Sequence, residues 1–382
     1  MRRSLRQAAR LTLVPFLVIG LLAAGVASAG AKDHPRSFLN ALAAMPTLSA
    51  STVPGNGDGN PYGVAVVPHE FPHNGTAHSG DILVSNFNNG AGQQGMGTTI
   101  VDVTPMGQMS TFFSAPPSLG PVGLTTALMA LPDGLVIVGN TPTTDGTFGT
   151  IMPGSLIFLN QQGNVVLNLV DPKLQGPWDM TADDSDWQAP VLYVSNVLNG
   201  TVVRINLWVN EDHGWPMPQV KQITVIGSGF LHRSDPAALV VGPTGLLLGD
   251  NGHSLYVADT GNNRIQVLHG VDHAHGDLGS GHTVVSGAPL KGPLALAWTS
   301  EGTIVASNGD AAGDPMTPPN MVVEFDPSGG KFVAMRQLDT SGTPGGIFGL
   351  TIARVGDREA LIYVDDNTNT VNVLPTMRQH DD

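Results

Sequence analysis

The chain has 382 residues, with 48 Gly, 29 Pro and no Cys, and 17 basic against 31 acidic residues give a net charge of −14. Disulfides, thiolate metal sites, cysteine nucleophiles and a lipid-modified N-terminal cysteine are therefore excluded, and the acidity argues against nucleic acid, whose phosphates require clustered cations. With 41% hydrophobic and only 13% charged residues, and no Gly-X-Y period, the composition implies many short strands joined by many turns rather than disorder or collagen.

The first segment reads as a targeting signal. "MRRSLRQAAR" carries four Arg and no acid, Leu11–Val26 is apolar with Pro15 inside it, and small residues follow at Ala27 and Ala29. This pattern predicts a signal peptide over residues 1–29, cleaved after Ala29. The expected product is periplasmic or extracellular, with no stable membrane span, because the apolar run is short for one. Loss of Arg2, Arg3, Arg6 and Arg10 would take the net charge from −14 to −18.

A repeat then runs to residue 375. Segments resembling "PYGVAVV" (Pro61–Val67) begin again at Pro121, Pro177, Pro236, Pro293 and Ile347. Each follows a turn and reads as a short buried strand. A second apolar run ends each time on Asn or Asp, as in "DILVSN", "LVIVGN", "VLYVSN", "SLYVAD", "TIVASN" and "LIYVDD". A third run follows in every unit and a fourth in most. In "LYVADTGNNRIQVL" (Leu255–Leu268) the polar knot is then the turn between second and third strands, where Asn and Gly supply positive φ. Arg264 is placed to pair with Asp259.

Six such units predict an all-β fold, a six-bladed β-propeller of four-stranded antiparallel blades over residues 30–375, followed by a polar tail, 376–382. The last unit supplies only three strands. "TLSASTV" (Thr47–Val53) precedes the first unit without a partner, so it is expected to complete the last blade and close the ring.

Arg233–Leu268 resembles a nearly complete NHL repeat, a propeller-blade motif; the other five units resemble it mainly in the second strand and its terminal Asn or Asp. The resemblance implies a propeller. It does not imply one activity, because NHL-type propellers include binding scaffolds, lyases and hydrolases.

In such a fold the blade links and the loops after second strands share one face. Loops 87–97, 141–154 and 309–320 are long and form a rim there, with Phe87, Phe148 and Met316 as its apolar side chains. The mouth inside that rim is the expected binding site. Its ligand-binding candidates are Asn60, Asp179 and Asp235 from the links and Asn86, Asn196, Asp259, Asn308 and Asp366 from the strand ends. Most of these Asn and Asp residues also read as turn caps. Asp58, Asn60, Asp179 and Asp235 are the weak candidates for a metal, with calcium or zinc the ions considered. Related propeller lactonases hold a metal with a Glu that these links lack. The opposite face carries His69, His73 and His78 in one loop and His269, His273, His275 and His282 in another. Imidazoles can hold zinc, but solvated loop histidines are the plainer reading. The expected function is an exported binding or scaffold propeller, taking a small molecule or protein at the central mouth. The alternative is a metal-dependent lyase or hydrolase related to propeller lactonases, and the sequence leaves open whether the protein is an enzyme.

Overall fold

The structure, a computed structural model, describes residues 37–212, 214–309 and 318–378. The expected signal segment lies outside them. None of the described helices is long and apolar enough to cross a membrane.

Six four-stranded antiparallel sheets follow one another along the chain. Their innermost strands are Gly59–Val66, Leu124–Ala130, Pro177–Asp183, Pro243–Leu248, Pro293–Trp298 and Ile347–Val355. Each packs against the next, and the last packs against the first, so the sheets form a ring. The protein is a six-bladed β-propeller. Second and third strands are buried along nearly their whole length, as in Val136–Asn140 and Ser155–Leu159. The packing explains the unbroken apolar runs of the sequence. Both faces of a blade are covered by neighbouring blades, so alternation appears only toward the rim. Leu83, Ile100, Val136, Val138 and Ile157 form such a core between blades one and two.

All six inner strands carry a register shift near their start, for example between Pro61 and Gly63 and between Ile347 and Leu350. A bulge there bends the strand around the channel. It also brings backbones very close. A Cβ on Gly349 would lie 2.2 Å from the Tyr62 carbonyl oxygen, and one on Gly245 would lie 1.9 Å from that of Leu294. Only glycine fits at these two crossings.

The ring closes as the sequence predicts. Leu48–Ser51 pairs antiparallel with Thr370–Pro375, from Leu48 opposite Val373 to Ser51 opposite Thr370. A further anchor was not foreseen. The single turn Phe38–Ala41 sits against blade five, where the buried Glu324 carboxylate accepts the N–H groups of Phe38 and Leu39, both at 3.0 Å. Arg336 donates to the carbonyl oxygens of Leu39 and Leu42 at the other end of that turn.

Blade four starts later than its repeat suggests. The inner strand is Pro243–Leu248, whereas Leu239–Val241 pairs with Arg233–Asp235 in a separate two-stranded ribbon. Asp235 turns that ribbon by accepting the N–H groups of Ala237 and Ala238. Two apolar runs stand in tandem here, and register against Asp259 selects the second.

Candidate functional site

The strand-end residues form a repeated joint. Asn196 accepts the Gln175 N–H at 3.0 Å and donates to Lys173 O and Thr201 Oγ1. Asn308 accepts from Lys291 N–H and donates to Pro289 O. Asn86 donates to Thr52 O at 2.9 Å and Thr99 Oγ1 at 3.3 Å. Asn140 makes the same kind of joint with Gly123 and Ser155. Each ties the second strand to the link entering its own blade, and in blades one to three also to the first residue of the third strand. In blade four Asp259, fully buried, takes this place opposite Arg264, whose Nε donates to it at 2.7 Å, and Asn262 adds a second donor. An ion pair thus replaces an amide–hydroxyl pair.

A second joint uses the Ser that precedes the Asn. Ser85 Oγ accepts the Gly63 N–H and donates to Thr125 O in the next blade at 2.7 Å. Ser307 does the same with Ala295 and Phe348. Blades two and four lack this Ser, and Thr125 and Thr244 on their inner strands reach the next blade's carbonyl oxygens instead.

Four expected site residues, Asn86, Asn196, Asp259 and Asn308, are thus engaged in holding strands together. Asp58 Oδ2 is likewise occupied, accepting from Thr98 N–H at 2.7 Å and from the Thr98 and Thr99 hydroxyls. Asp235 is paired with Arg233 at 2.6 Å, which together with its backbone donors holds its carboxyl below the ordinary range against the pull of burial. Asp179 lines a different cavity of about 260 Å³ in the central channel. Burial raises its carboxyl to about 7, offset in part by the N–H groups of Met180 and Leu246. The acids proposed for a metal therefore do not converge, and among the described residues no group of three acidic or imidazole side chains gathers to hold one.

Asn60 and Asp366 do meet. They line a cavity of about 220 Å³ at the mouth, with Asn88, Gln94, Trp178 and Phe348. Register places Asp365, not Asp366, at the strand-end joint opposite Thr370, which leaves Asp366 one residue beyond it. Burial, and then the neighbouring Asp365 charge, lifts the Asp366 carboxyl to about 6. Asn60 adopts a left-handed φ of 57°. Its N–H is held by Asn369 Oδ1 at 2.8 Å. Gln94 reaches in from the blade-one loop and donates to Ala237 O of the small ribbon.

Below this cavity the channel is plugged by aromatic rings. Tyr62 stacks on Phe87 at 4.5 Å and on Phe348 at 4.2 Å, and Trp178 stands edge-on to Phe87 at 5.3 Å. Burial, with the Asp366 charge next, pushes the Tyr62 hydroxyl pKa strongly upward. Phe87, expected as an exposed rim residue, is fully buried in this plug. Its loop begins at the end of the second strand, so the ring turns inward instead of outward. Phe148 is exposed, and Met316 lies outside the described residues. Sequence reasoning missed Tyr62, Trp178 and Phe348. A signal existed, because an aromatic residue follows Pro61, Pro177 and Ile347 at the same position of three repeats.

On the opposite face, Asp272 bridges His253 at 2.6 Å and His273 at 3.0 Å, with all three side chains partly or largely exposed.

No family model matches the chain, and no curated protein matches it significantly. Solved structures do. A regucalcin from Agrobacterium tumefaciens, described as a calcium-binding protein, is 12% identical over 86% of this chain and 95% of its own, with a TM-score of 0.51. The luciferin-regenerating enzyme is 8% identical over 87% and 95%, with a TM-score of 0.52. At these identities the likeness is one of fold.

Proposed function

We propose that the protein is an exported ligand-binding propeller whose site is the mouth cavity beside Asn60 and Asp366. The observation that carries this reading is the lining of that cavity, where the amide residues Asn60, Asn88 and Gln94 and the acid Asp366 share one concave space with Trp178 and Phe348. A few polar groups set among apolar ones in a pre-formed hollow are the usual make-up of a small-molecule site. Aromatic rings on the same wall add contact area. The cavity is smaller than the ~300–1,000 Å³ of drug-sized sites, so the guest is small.

Blocking the cavity tests this. A small-molecule library screened by thermal shift should yield ligands that stabilise the wild type and not Ala238→Trp, since Ala238 lines the cavity. Ligands that shift both proteins equally would place binding elsewhere. Export is tested by mass spectrometry. The mature chain should begin at Gly30; an intact Met1 on a membrane-bound product would reverse this part of the reading.

A further inference from the structure

We propose that a ribbon projecting from blade three is a docking surface for a neutral polysaccharide, separate from the mouth cavity. Thr201–Asp212 and Trp215–Gly227 are the longest of the described strands. The neighbouring strand Val191–Asn196 covers the first of them only as far as Asn206. Leu207–Asp212 and Trp215–Val220 therefore run on past the blade as a two-stranded ribbon. Its base is the end away from the mouth, since Thr201 stands at the strand-end joint. Leu207 and Val209, on one face of the ribbon, are packed into the core between blades two and three. The alternate positions stay open to solvent, with Trp208 and Met217 each 38% exposed. Trp215, opposite Asp212, falls on the same face as Met217 by strand alternation. Gln188 O accepts the Val209 N–H at 2.8 Å, in the register by which Val191 opposes Asn206. Trp187, 48% exposed, is thus level with Asn210, on a diagonal ~7–8 Å from Trp208. Three of the chain's five tryptophans belong to this one ribbon and the turn beside it.

Exposed aromatic side chains gathered in one place mark an interaction surface, and the polar groups around these select the partner. Trp208 Nε1 donates to Asn210 Oδ1 at 2.8 Å, which lays the indole along the ribbon and leaves a broad ring face to solvent. Gln219, opposite Trp208, accepts from Lys221 Nζ at 3.0 Å through its Oε1. Both exposed amides thus have an oxygen occupied and an NH2 group to offer. Flat ring faces flanked by amide donors match a polymer of pyranose rings, whose C–H faces stack on indole and whose hydroxyls accept from the amides. The exposed carboxylates of Asp186 and Glu211 beside the ribbon favour a neutral polymer over an acidic one. A protein partner fits less well. A stable interface takes about 800 Å² from each side around an apolar centre, more than two part-exposed indoles and a methionine supply. A second copy of this chain is opposed by the net charge of −14. Pro216 and Pro218 lie in the outer strand of the ribbon and lack the N–H groups that an added strand would need.

The test uses the exported chain in affinity electrophoresis through gels holding hydroxyethylcellulose, xylan or alginate, with affinities from fluorescence titration. At least one of the two neutral polymers should retard the protein saturably, and alginate should not. Trp208→Ala and Trp187→Ala should each weaken that binding at least tenfold, and Trp208→Phe, which keeps a flat ring, should weaken it less than Trp208→Ala. Ala238→Trp, which blocks the mouth cavity, should bind as the wild type does, so failure of this surface and failure of the mouth site are told apart. Thermal transitions check folding, and the two tryptophans lie on different segments, so loss of fold in one variant leaves the other informative. Absence of retardation in both neutral gels, or full binding by both alanine variants, would overturn the proposal. Equal retardation by alginate would refute the preference for a neutral polymer. Sedimentation velocity tests the remaining reading: a wild-type dimer that Trp208→Ala dissociates would make the ribbon a contact between copies and not a saccharide surface.

Discussion

Glu324 Oε2 accepts the Leu39 N–H at 3.0 Å across 285 residues of sequence. The same carboxylate takes the Phe38 N–H and the hydroxyls of Ser37 and Thr303, and it is fully buried. A buried charge is tolerable only when its oxygens are satisfied by hydrogen bonds. This one is satisfied by the N-terminal turn, so the turn and the carboxylate depend on each other.

Glu324→Ala is expected to destabilise the protein by about 2–4 kcal/mol, because several buried donors lose their acceptor at once. Glu324→Gln keeps one acceptor oxygen and should cost less. Urea unfolding measures both, and equal midpoints for wild type and Glu324→Ala would show that the anchor contributes nothing.

A chain beginning at Pro54 lacks both this anchor and the strand Leu48–Ser51. It leaves Thr370–Pro375 as an open edge beside an exposed apolar core that includes Val371 and Val373. The loss should far exceed ~1 kcal/mol and bring aggregation. Size-exclusion chromatography and melting follow it, and an unaltered melting temperature would contradict the closure described above.

Asp259 and Arg264 should be strongly coupled. Asp259→Asn alone leaves the Arg264 guanidinium without its buried countercharge, and Arg264→Thr alone leaves the carboxylate without its cation. Each is expected to cost about 2–3 kcal/mol. The double substitution recreates the Asn196–Thr201 joint of blade three and should recover much of the loss, with a coupling of at least about 1 kcal/mol. Additive losses in the double-mutant cycle would mean that the pair does not act as a unit.

Asp102 is a built-in liability. It is buried, its Oδ1 has no hydrogen-bond partner among the described residues, and burial followed by the charge of Asp81 raises its carboxyl from 3.8 to about 7. The folded state then holds a proton that the unfolded state releases near pH 4. By linkage, this group favours the fold below pH 4, and the contribution is lost as pH rises toward 7. Asp102→Asn should therefore raise stability at pH 8 by something on the order of 2 kcal/mol and flatten its decline between pH 4 and 7. Denaturation at pH 4, 6 and 8 distinguishes this from a pH-independent change.

Much of this architecture was legible from residue pattern alone. Middle strands buried on both faces must be apolar throughout, so their six copies stand out in the sequence, and the unpartnered Thr47–Val53 pointed to ring closure. The joints were half legible. The "SN" pair at three strand ends reads as turn chemistry, but its Ser reaches the neighbouring blade in Ser85 and Ser307, a long-range pairing that local pattern does not encode. The cavity was least legible. Asn60 and Asp366 were named among its residues, but they share a wall with Gln94 of a distant loop only because the ring brings them together. The anchor at Glu324 had no local signature, since a lone acid in an apolar strand resembles any other acid until its partner segment is placed.

Closure by the N-terminal strand also fixes an order of events. Thr47 donates its N–H to Val373, 326 residues further along the chain. As the chain emerges, the first strand of the ring is among the last to find its partner. Blades one to five can assemble as their strands emerge, but Leu48–Ser51 stays unsheltered until Thr370–Pro375 arrives. Contacts so distant in sequence form slowly and leave strand edges open in the meantime. The polar sequence of that strand, Ser49, Ser51 and Thr52 among its neighbours, is therefore suited to a segment that must wait in water before it locks the ring.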